Sequence, residues 1–164
     1  MQVGIAGHQD RPGIDWEWVG GTLLSELRRM RGVTRALSSL AVGSDHIFAC
    51  TALEVGIPVL AVIPMDNYER FFAPEATADY EAVLKRCEVT NLKWTGDDYE
   101  GFFAAGKFIV ENSDLLFAVW DGEPSRGLGG TADVVAFALS RSKRVVHVDP
   151  IRRHVTLMGN ENNG

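Results

Sequence analysis

Cysteine, net positive charge and long apolar runs are all scarce in this sequence, and each shortage argues against a class of protein. Two cysteines occur in 164 residues and form no C-x-x-C pair, so we interpret Cys50 and Cys87 as buried free thiols rather than a disulfide framework or zinc ligands. Acidic residues outnumber basic ones by 22 to 16, giving a net charge of −6, which disfavours a nucleic-acid partner that needs many phosphate contacts. No apolar run approaches the roughly 20 residues of a membrane span, and no basic and apolar leader follows Met1. We therefore expect a cytoplasmic protein without a membrane partner.

Several well-known catalytic motifs are also missing. The sequence contains no G-x-S-x-G elbow, which excludes the usual arrangement of a Ser-His-Asp hydrolase. Its glycine-rich loop does not end in G-K-S/T, as a Walker A motif does. Histidine, cysteine and acidic residues show no metal-ligand spacing, so the sequence predicts neither a metal site nor a resident cofactor.

What is present is an alternation of strand-like and helix-like segments. Short apolar runs of strand length occupy residues 2–6, 34–41, 58–64, 88–92, 115–120 and 144–148. Segments with apolar residues at helical spacing lie between most of them. This alternation predicts an α/β fold, a single three-layer Rossmann-like domain over residues 1–150 with a doubly wound, mainly parallel sheet of five or six strands. Residues 151–164 are expected to form a C-terminal tail with a disordered, Asn-rich end.

The run Leu115–Trp120 leads into a glycine-rich loop and then into a helix start. Gly127, Gly129 and Gly130 permit close backbone approach, and Thr131 opens an apolar segment of helical length. Free N–H groups and the positive end of that helix would face the loop, which predicts an anion or phosphate site. A plain glycine turn between strand and helix is the alternative.

Polar loops after several strands should meet at one edge of the sheet, because the carboxyl ends of parallel strands share an edge and ligands bind there. Backbone N–H groups and an arginine suit phosphate, and carboxylates suit ribose hydroxyls, so the predicted ligand is a nucleotide-like small molecule. Arg11 and Arg126 are candidate phosphate partners or, alternatively, solvated surface residues. The aromatic side chains of loop 66–72 either stack on a base or pack on the core. The predicted ligand-binding residues are Gly7, His8, Gln9, Arg11, Gly43, Ser44, Asp45, Gly122, Arg126, Gly127, Gly129, Gly130 and Thr131.

Three segments carry a resemblance to known families. Residues 39–45, Ser-Leu-Ala-Val-Gly-Ser-Asp, resemble the S-x-L-A-x-G-x-D pattern of the DNA-processing protein A (Smf) fold. Residues 112–114, Asn-Ser-Asp, followed by residues 130–133, Gly-Thr-Ala-Asp, resemble the GGxGTxxE region of the LONELY GUY phosphoribohydrolases. Residues 4–10 are similar to the G-x-T-G-H-R-D opening of bacterial members of these families. Together these segments resemble the SLOG superfamily over roughly residues 2–150.

The resemblance implies a Rossmann-like domain that binds nucleotides or nucleotide-derived ligands. Gly129, Gly130 and Thr131 would bind phosphate, and Asp133 would stand where the hydrolases use a catalytic glutamate. Here the sequence departs from the hydrolases, since aspartate is one methylene shorter and their Pro-Gly-Gly loop start is absent.

The predicted function is therefore binding of a nucleotide-type small molecule, as a sensor or binding module. The alternative is an N-glycoside hydrolase in which Asp133 is the catalytic carboxylate, with Asp121 or Asp45 as its partner. A DNA-binding module of the DNA-processing type is a third possibility, which the acidic charge disfavours. A homodimer is also expected, because related domains pair through helices and the aromatic helix at residues 99–108 exceeds what one core can cover.

Overall fold

The computed structural model describes residues 1–9 and 11–159. Asp10 of the first predicted loop and residues 160–164 of the predicted tail lie outside the described residues. Within the described ranges, one sheet is built from β1 (Gln2–Gly7), β2 (Arg35–Ser38), β3 (Val59–Ile63), β4 (Glu88–Asn91), β5 (Leu115–Val119), β6 (Arg144–Asp149) and β7 (His154–Met158). The helices are α1 (Trp16–Arg29), α2 (Ser44–Glu54), α3 (Pro74–Leu84), α4 (Asp98–Glu111) and α5 (Thr131–Ser140), with a short 3₁₀ helix at Tyr68–Phe71.

The strand order of the sheet is β4-β3-β2-β1-β5-β6-β7. The strands from β4 to β6 are parallel, and β7 alone among the described strands runs antiparallel, against β6. The chain winds outward from β1 to β4 and then crosses back to place β5 on the other side of β1. This confirms the predicted α/β, Rossmann-like and mainly parallel fold, and it puts the topological switch point, where such sheets bind ligands, between β1 and β5.

Helices cover both faces of the sheet, and apolar side chains fill the space between the sheet and the helices on each side. Helices α1, α2 and α3 pack on one face, for example through Leu23 and Phe48. Helices α4 and α5 pack on the other face, for example through Ile109 and Val134. Every residue of β3 and of β5 is buried, as expected for parallel strands covered on both sides.

Helix starts at the sheet edge follow from local capping chemistry. Asp97 accepts a hydrogen bond from the Glu100 N–H at 3.0 Å and so caps α4. Serine is a favoured N-cap residue, so Ser44 would suit the N-cap position of α2. Gly43 occupies that position, because the Ser44 hydroxyl is used elsewhere, donating to the His8 carbonyl at 2.6 Å.

The segment after residue 150 contains a strand where the sequence predicts a tail. Asp149 closes the turn that leads into β7, since its Oδ1 accepts the N–H groups of Ile151 and Arg152, both at 2.9 Å. The sheet therefore has seven strands rather than five or six. Strand β7 gives a weak sequence signal because three of its five residues are exposed at the sheet edge. The predicted disorder concerns residues 160–164, outside the described part of the chain.

No helix within residues 1–9 and 11–159 combines the length and the apolar character that crossing a membrane requires.

Candidate ligand-binding site

A cavity of about 880 Å³ opens at the carboxyl edge of the sheet, beside the switch point. Its floor includes Ile5 and Gly7 of β1, and its side walls come from the segments that follow β2, β3 and β5, and from α4. The loops predicted to meet at this edge do contribute to one space, because the register pairs Gly7 with Val119 at the ends of β1 and β5.

One wall of the cavity is the loop 126–130 together with the first residue of α5. Gly130 is the N-cap of α5 and supplies no side-chain hydrogen bond to the helix. The first backbone N–H groups of a helix have no partner within the helix, and they carry its partial positive charge. Arg126 in the same wall is exposed and makes no ion pair with a described residue. This wall is therefore suited to an anion.

Two contacts hold that loop in place. The Gly129 N–H donates to Asp133 Oδ2 at 2.9 Å, and the Asp133 N–H donates to the Ser125 hydroxyl at 3.2 Å. Gly129 has a φ of +83°, and a Cβ atom there would lie 2.9 Å from the Tyr99 carbonyl oxygen. Both the backbone conformation and the close approach to α4 require glycine at this position.

A second part of the cavity wall is aromatic. It is formed by the side chains of Tyr68, Phe71, Phe72, Tyr99 and Phe102. Phe71 and Phe102 meet edge to face with ring centroids 4.9 Å apart. Phe71 and Tyr99 are 41% and 61% exposed, so an unusual amount of aromatic surface is left open beside the cavity. Such surface favours stacking with a planar ring.

Asp45 is the buried carboxyl group of the site. It lies at the start of α2, lines the cavity and is 8% exposed. Its Oδ1 atom is buried without a hydrogen-bond partner among the described residues. Burial raises the pKa of Asp45 from 3.8 to about 7, and a backbone hydrogen bond from Ala41 opposes the rise only in part. An ionisable group of this kind in a cavity is a candidate for ligand contact.

A second polar cluster ties the loop after β1 to the loop after β5. Arg11 donates to Asp121 Oδ2 and also approaches His8 Nε2 at 3.0 Å. The Asp121 N–H donates to the same His8 nitrogen at 3.1 Å. His8 Nε2 also lies 3.1 Å from Asp121 Oδ1, so a protonated ring would pair with the carboxylate, whereas a neutral ring with an unprotonated Nε2 would accept from the two N–H donors.

Burial lowers the pKa of His8 and so favours the neutral ring, while the hydrogen bond to Asp121 acts in the opposite direction. For Asp121, burial alone would raise the pKa, but hydrogen bonds from the Glu123 N–H and from His8, with the charges of His8 and Arg11, lower it below its usual value. The cluster is thus a stable pairing of Arg11 with an ionised Asp121. Neither residue is part of the cavity wall.

No protein family and no curated protein matches this chain in the sequence comparisons. Solved structures do match it. DNA processing protein A (DprA) from Streptococcus pneumoniae superimposes with a TM-score of 0.63 at 16% identity, over 90% of this chain and 50% of that one. DNA processing protein A from Helicobacter pylori gives a TM-score of 0.62 at 18% identity, over 91% of this chain and 65% of that one. The chain shares the Rossmann-like α/β fold of these two structures.

A third structure, the molybdenum cofactor binding protein from the phototrophic bacterium Rippkaea orientalis, matches with a TM-score of 0.56 at 19% identity, over 89% of this chain and 74% of that one. The fold predicted from the sequence motifs is thereby confirmed. This chain spans between half and two thirds of the length of the two DprA chains.

The structure divides the predicted site residues into two groups. In the cavity wall lie Gly7, Gln9, Asp45, Arg126, Gly127, Gly129, Gly130 and Thr131. Outside the wall lie His8, Arg11, Gly43, Ser44 and Gly122, together with Asp121 and Asp133, the two residues predicted to be catalytic. The two carboxylates are engaged with Arg11 and with the Gly129 amide, respectively.

Sequence reasoning missed the part of the site that α4 contributes. Tyr99 and Phe102 line the cavity, whereas their helical spacing suggests a core face or a dimer contact. The signal that points to them is the aromatic loop 66–72, whose Tyr68 and Phe71 contact Phe102 edge to face. As for metals, the described residues contain no group of three or more His, Cys, Asp or Glu side chains placed to hold an ion.

Proposed function

We propose that this protein binds a nucleotide-derived small molecule in the cavity at the carboxyl edge of the sheet. The observation that carries the proposal is the pairing, in one cavity, of an anion-binding wall with an aromatic wall. A nucleotide has the matching chemistry, with an anionic phosphate at one end and a planar base at the other.

The dimensions and polarity of the cavity support this ligand class. Small-molecule sites commonly enclose about 300 to 1,000 Å³ and are largely apolar with a few well-placed polar groups, and this one encloses about 880 Å³. The phosphate would bind at the N-terminus of α5, where Arg126 adds a positive charge. The base would lie on the exposed rings of Phe71 and Tyr99.

Binding is proposed rather than turnover. The Asp133 carboxylate accepts the Gly129 N–H and thereby shapes the loop, a task that needs no chemistry. Asp121 is paired with Arg11. The N-glycoside hydrolase predicted as an alternative is therefore treated as an outcome of the experiment.

The structural neighbours support a small ligand only in general terms. The protein from R. orientalis binds the molybdenum cofactor, and DNA processing protein A from H. pylori binds single-stranded DNA. The net charge of −6 on this chain favours a small anion held by local groups over a polyanion that needs many basic contacts.

The experiment is a thermal-shift assay with AMP, GMP, ADP-ribose and a single-stranded oligonucleotide, with each ligand recovered and identified by mass spectrometry. A mononucleotide or ADP-ribose should raise the melting temperature and be recovered intact. Arg126→Gln should weaken this shift, whereas Arg144→Gln should not, because Arg144 begins β6 at the opposite edge of the sheet. Recovery of free base would show that the protein hydrolyses the nucleotide instead of only binding it. The proposal would be refuted if only the oligonucleotide raised the melting temperature, or if none of the compounds did.

A further inference from the structure

The buried carboxyl group of Asp45 is only partly satisfied within the protein, by a backbone hydrogen bond from Ala41. Its Oδ1 atom is buried without a hydrogen-bond partner among the described residues, although buried polar atoms in folded proteins nearly always have one. The residue lies in the cavity wall. A hydrogen-bond donor on a ligand in the cavity would satisfy this acceptor once the side chain turns Oδ1 towards it.

Tyr68 adds a second polar group to the same region. It lines the cavity and is 5% exposed. Its phenol lies close enough to Asp45 that the carboxylate, after burial, helps to raise the pKa of the tyrosine. A tyrosine hydroxyl both donates and accepts, whereas an ionised carboxylate only accepts. The two side chains together complement a group, or two adjacent groups, that both donate and accept.

The position of this pair selects one part of a nucleotide. Asp45 and Tyr68 are buried, as is the neighbouring floor residue Ile5. The anion-binding loop and the rings of Phe71 and Tyr99 are more exposed. The sugar is the part of a nucleotide that joins phosphate to base. Its hydroxyls donate hydrogen bonds, whatever the identity of the base.

We infer that Asp45 and Tyr68 form a polar subsite that recognises the sugar hydroxyls of the bound nucleotide. This inference rests on the proposed function and adds to it a requirement for ribose. The subsite distinguishes ribonucleotides from their deoxy analogues, because a ligand without the hydroxyls leaves the Asp45 acceptor buried and unpaired. Discrimination of this kind is large when a site is built to hydrogen-bond a hydroxyl.

The test is a thermodynamic cycle between side chain and ligand, measured by isothermal titration calorimetry with AMP and 2′,3′-dideoxy-AMP. At pH 8, where the Asp45 carboxyl with its pKa of about 7 is ionised, the unmodified protein should bind AMP about 10- to 100-fold more tightly than the dideoxy analogue, the range for a hydrogen bond to a charged group. Asp45→Ala should reduce this ratio to about 1, mainly by weakening AMP binding. Tyr68→Phe should reduce it in part.

The matched control is Tyr80→Phe, since Tyr80 packs against Tyr68 with ring centroids 6.0 Å apart but is not part of the cavity wall. It should leave the ratio unchanged, and melting temperatures establish that each variant is folded. If the unmodified protein binds AMP and its dideoxy analogue equally, or if Asp45→Ala and Tyr68→Phe weaken both ligands alike, the inference is wrong while the proposed function stands. If no nucleotide in either assay binds, both fail.

Discussion

The Gly129 amide donates to the Asp133 carboxylate across 2.9 Å and so fastens the glycine-rich loop to the first turn of α5. The contact joins the residue with the most constrained backbone in the loop to the residue that the hydrolase resemblance marks as catalytic. It explains how an aspartate at this position can serve ligand binding without reacting.

Asp133→Ala should loosen the loop without unfolding the protein. Removing the acceptor leaves the Gly129 amide without its partner, at a cost of about 1 to 3 kcal/mol if the amide stays buried. Amide hydrogen exchange followed by NMR should show faster exchange at Gly129, and AMP affinity should fall. Asp133→Asn retains an acceptor oxygen and should keep most of both properties.

The same pair of variants tests the hydrolase alternative. An enzyme that depends on the Asp133 charge would lose turnover in Asp133→Asn while still binding its ligand. If Asp133→Asn and the unmodified protein bind the nucleotide equally, and intact nucleotide is recovered from both, Asp133 has only the role of fastening the loop.

Gly129→Ala should damage both stability and binding. The left-handed backbone costs a non-glycine residue roughly 1 to 2 kcal/mol, and the added Cβ atom would lie 2.9 Å from the Tyr99 carbonyl oxygen. Gly127→Ala is the matched control, because a Cβ atom there meets nothing within 4 Å. Chemical denaturation should show a clear loss for the first variant and little change for the second. Equal losses in both would contradict the loop geometry described here.

Asp45 should make the protein less stable as the pH rises. Its pKa is raised by burial from 3.8 to about 7, so the folded state holds a proton that the unfolded state releases between these values. Its contribution to stability is therefore complete below about pH 4 and is lost as the pH rises through about 7. The nearby ionisable group that couples to it is Tyr68, which stays neutral in this range.

Asp45→Asn, which is neutral at every pH, should remove that dependence. Thermal unfolding should show similar stability for both proteins near pH 4 and a more stable variant near pH 8, by up to about 4 kcal/mol. Asp79→Asn, at an exposed position of α3, is the control and should follow the unmodified protein. Parallel curves for Asp45→Asn and the unmodified protein would mean that Asp45 is ionised without penalty.

Asp121, in contrast to Asp45, should make the protein more stable as the pH rises. The groups around it, His8, Arg11 and the Glu123 N–H, lower its pKa, so it stabilises the fold above the usual aspartate pKa and loses that contribution as the pH falls through its lowered value. Asp121→Asn should be less stable than the unmodified protein at pH 7, by about 1 to 3 kcal/mol. The difference should shrink in acid. A difference that is constant with pH would show that Arg11 and Asp121 do not interact as an ion pair.

The homodimer stays a prediction. Tyr99 of the aromatic helix is 61% exposed, and Phe103 and Phe108 of the same helix are only half-buried. Sedimentation equilibrium at micromolar concentration should give twice the mass of the chain, and Tyr99→Ser should shift the equilibrium towards monomer if this face is the contact. A monomer at all concentrations would refute the prediction.

Most of the fold was predictable from local pattern. Continuous apolar runs such as Leu115–Val119 become strands buried on both faces, and residues such as Leu23 and Leu27, spaced at helical intervals, become the buried side of α1. Strand β7 was not predictable in this way. An edge strand with three exposed residues lacks both the apolar run and the strict alternation that mark a strand.

The candidate site was predictable in outline but not in detail. That the loops meet at one edge follows from parallel topology alone, and Gly129 and Arg126 indeed share a cavity. Whether a given polar side chain faces that cavity depends on partners far away in the chain. Arg11 is held by Asp121, 110 positions later, and Asp133 turns back to Gly129.

The sequence by itself determined strands β1 to β6, the helices and the edge where the loops converge, because hydrophobic periodicity and glycine placement are local properties of the chain. Only the tertiary structure decided that Asp45 is buried with an acceptor atom that no described residue pairs, that aromatic residues of α4 complete the cavity, and that Arg11 and Asp121 neutralise each other. Burial, desolvation and ion pairing arise between residues that are distant in the chain, so they exist only once the sheet and its helices have assembled.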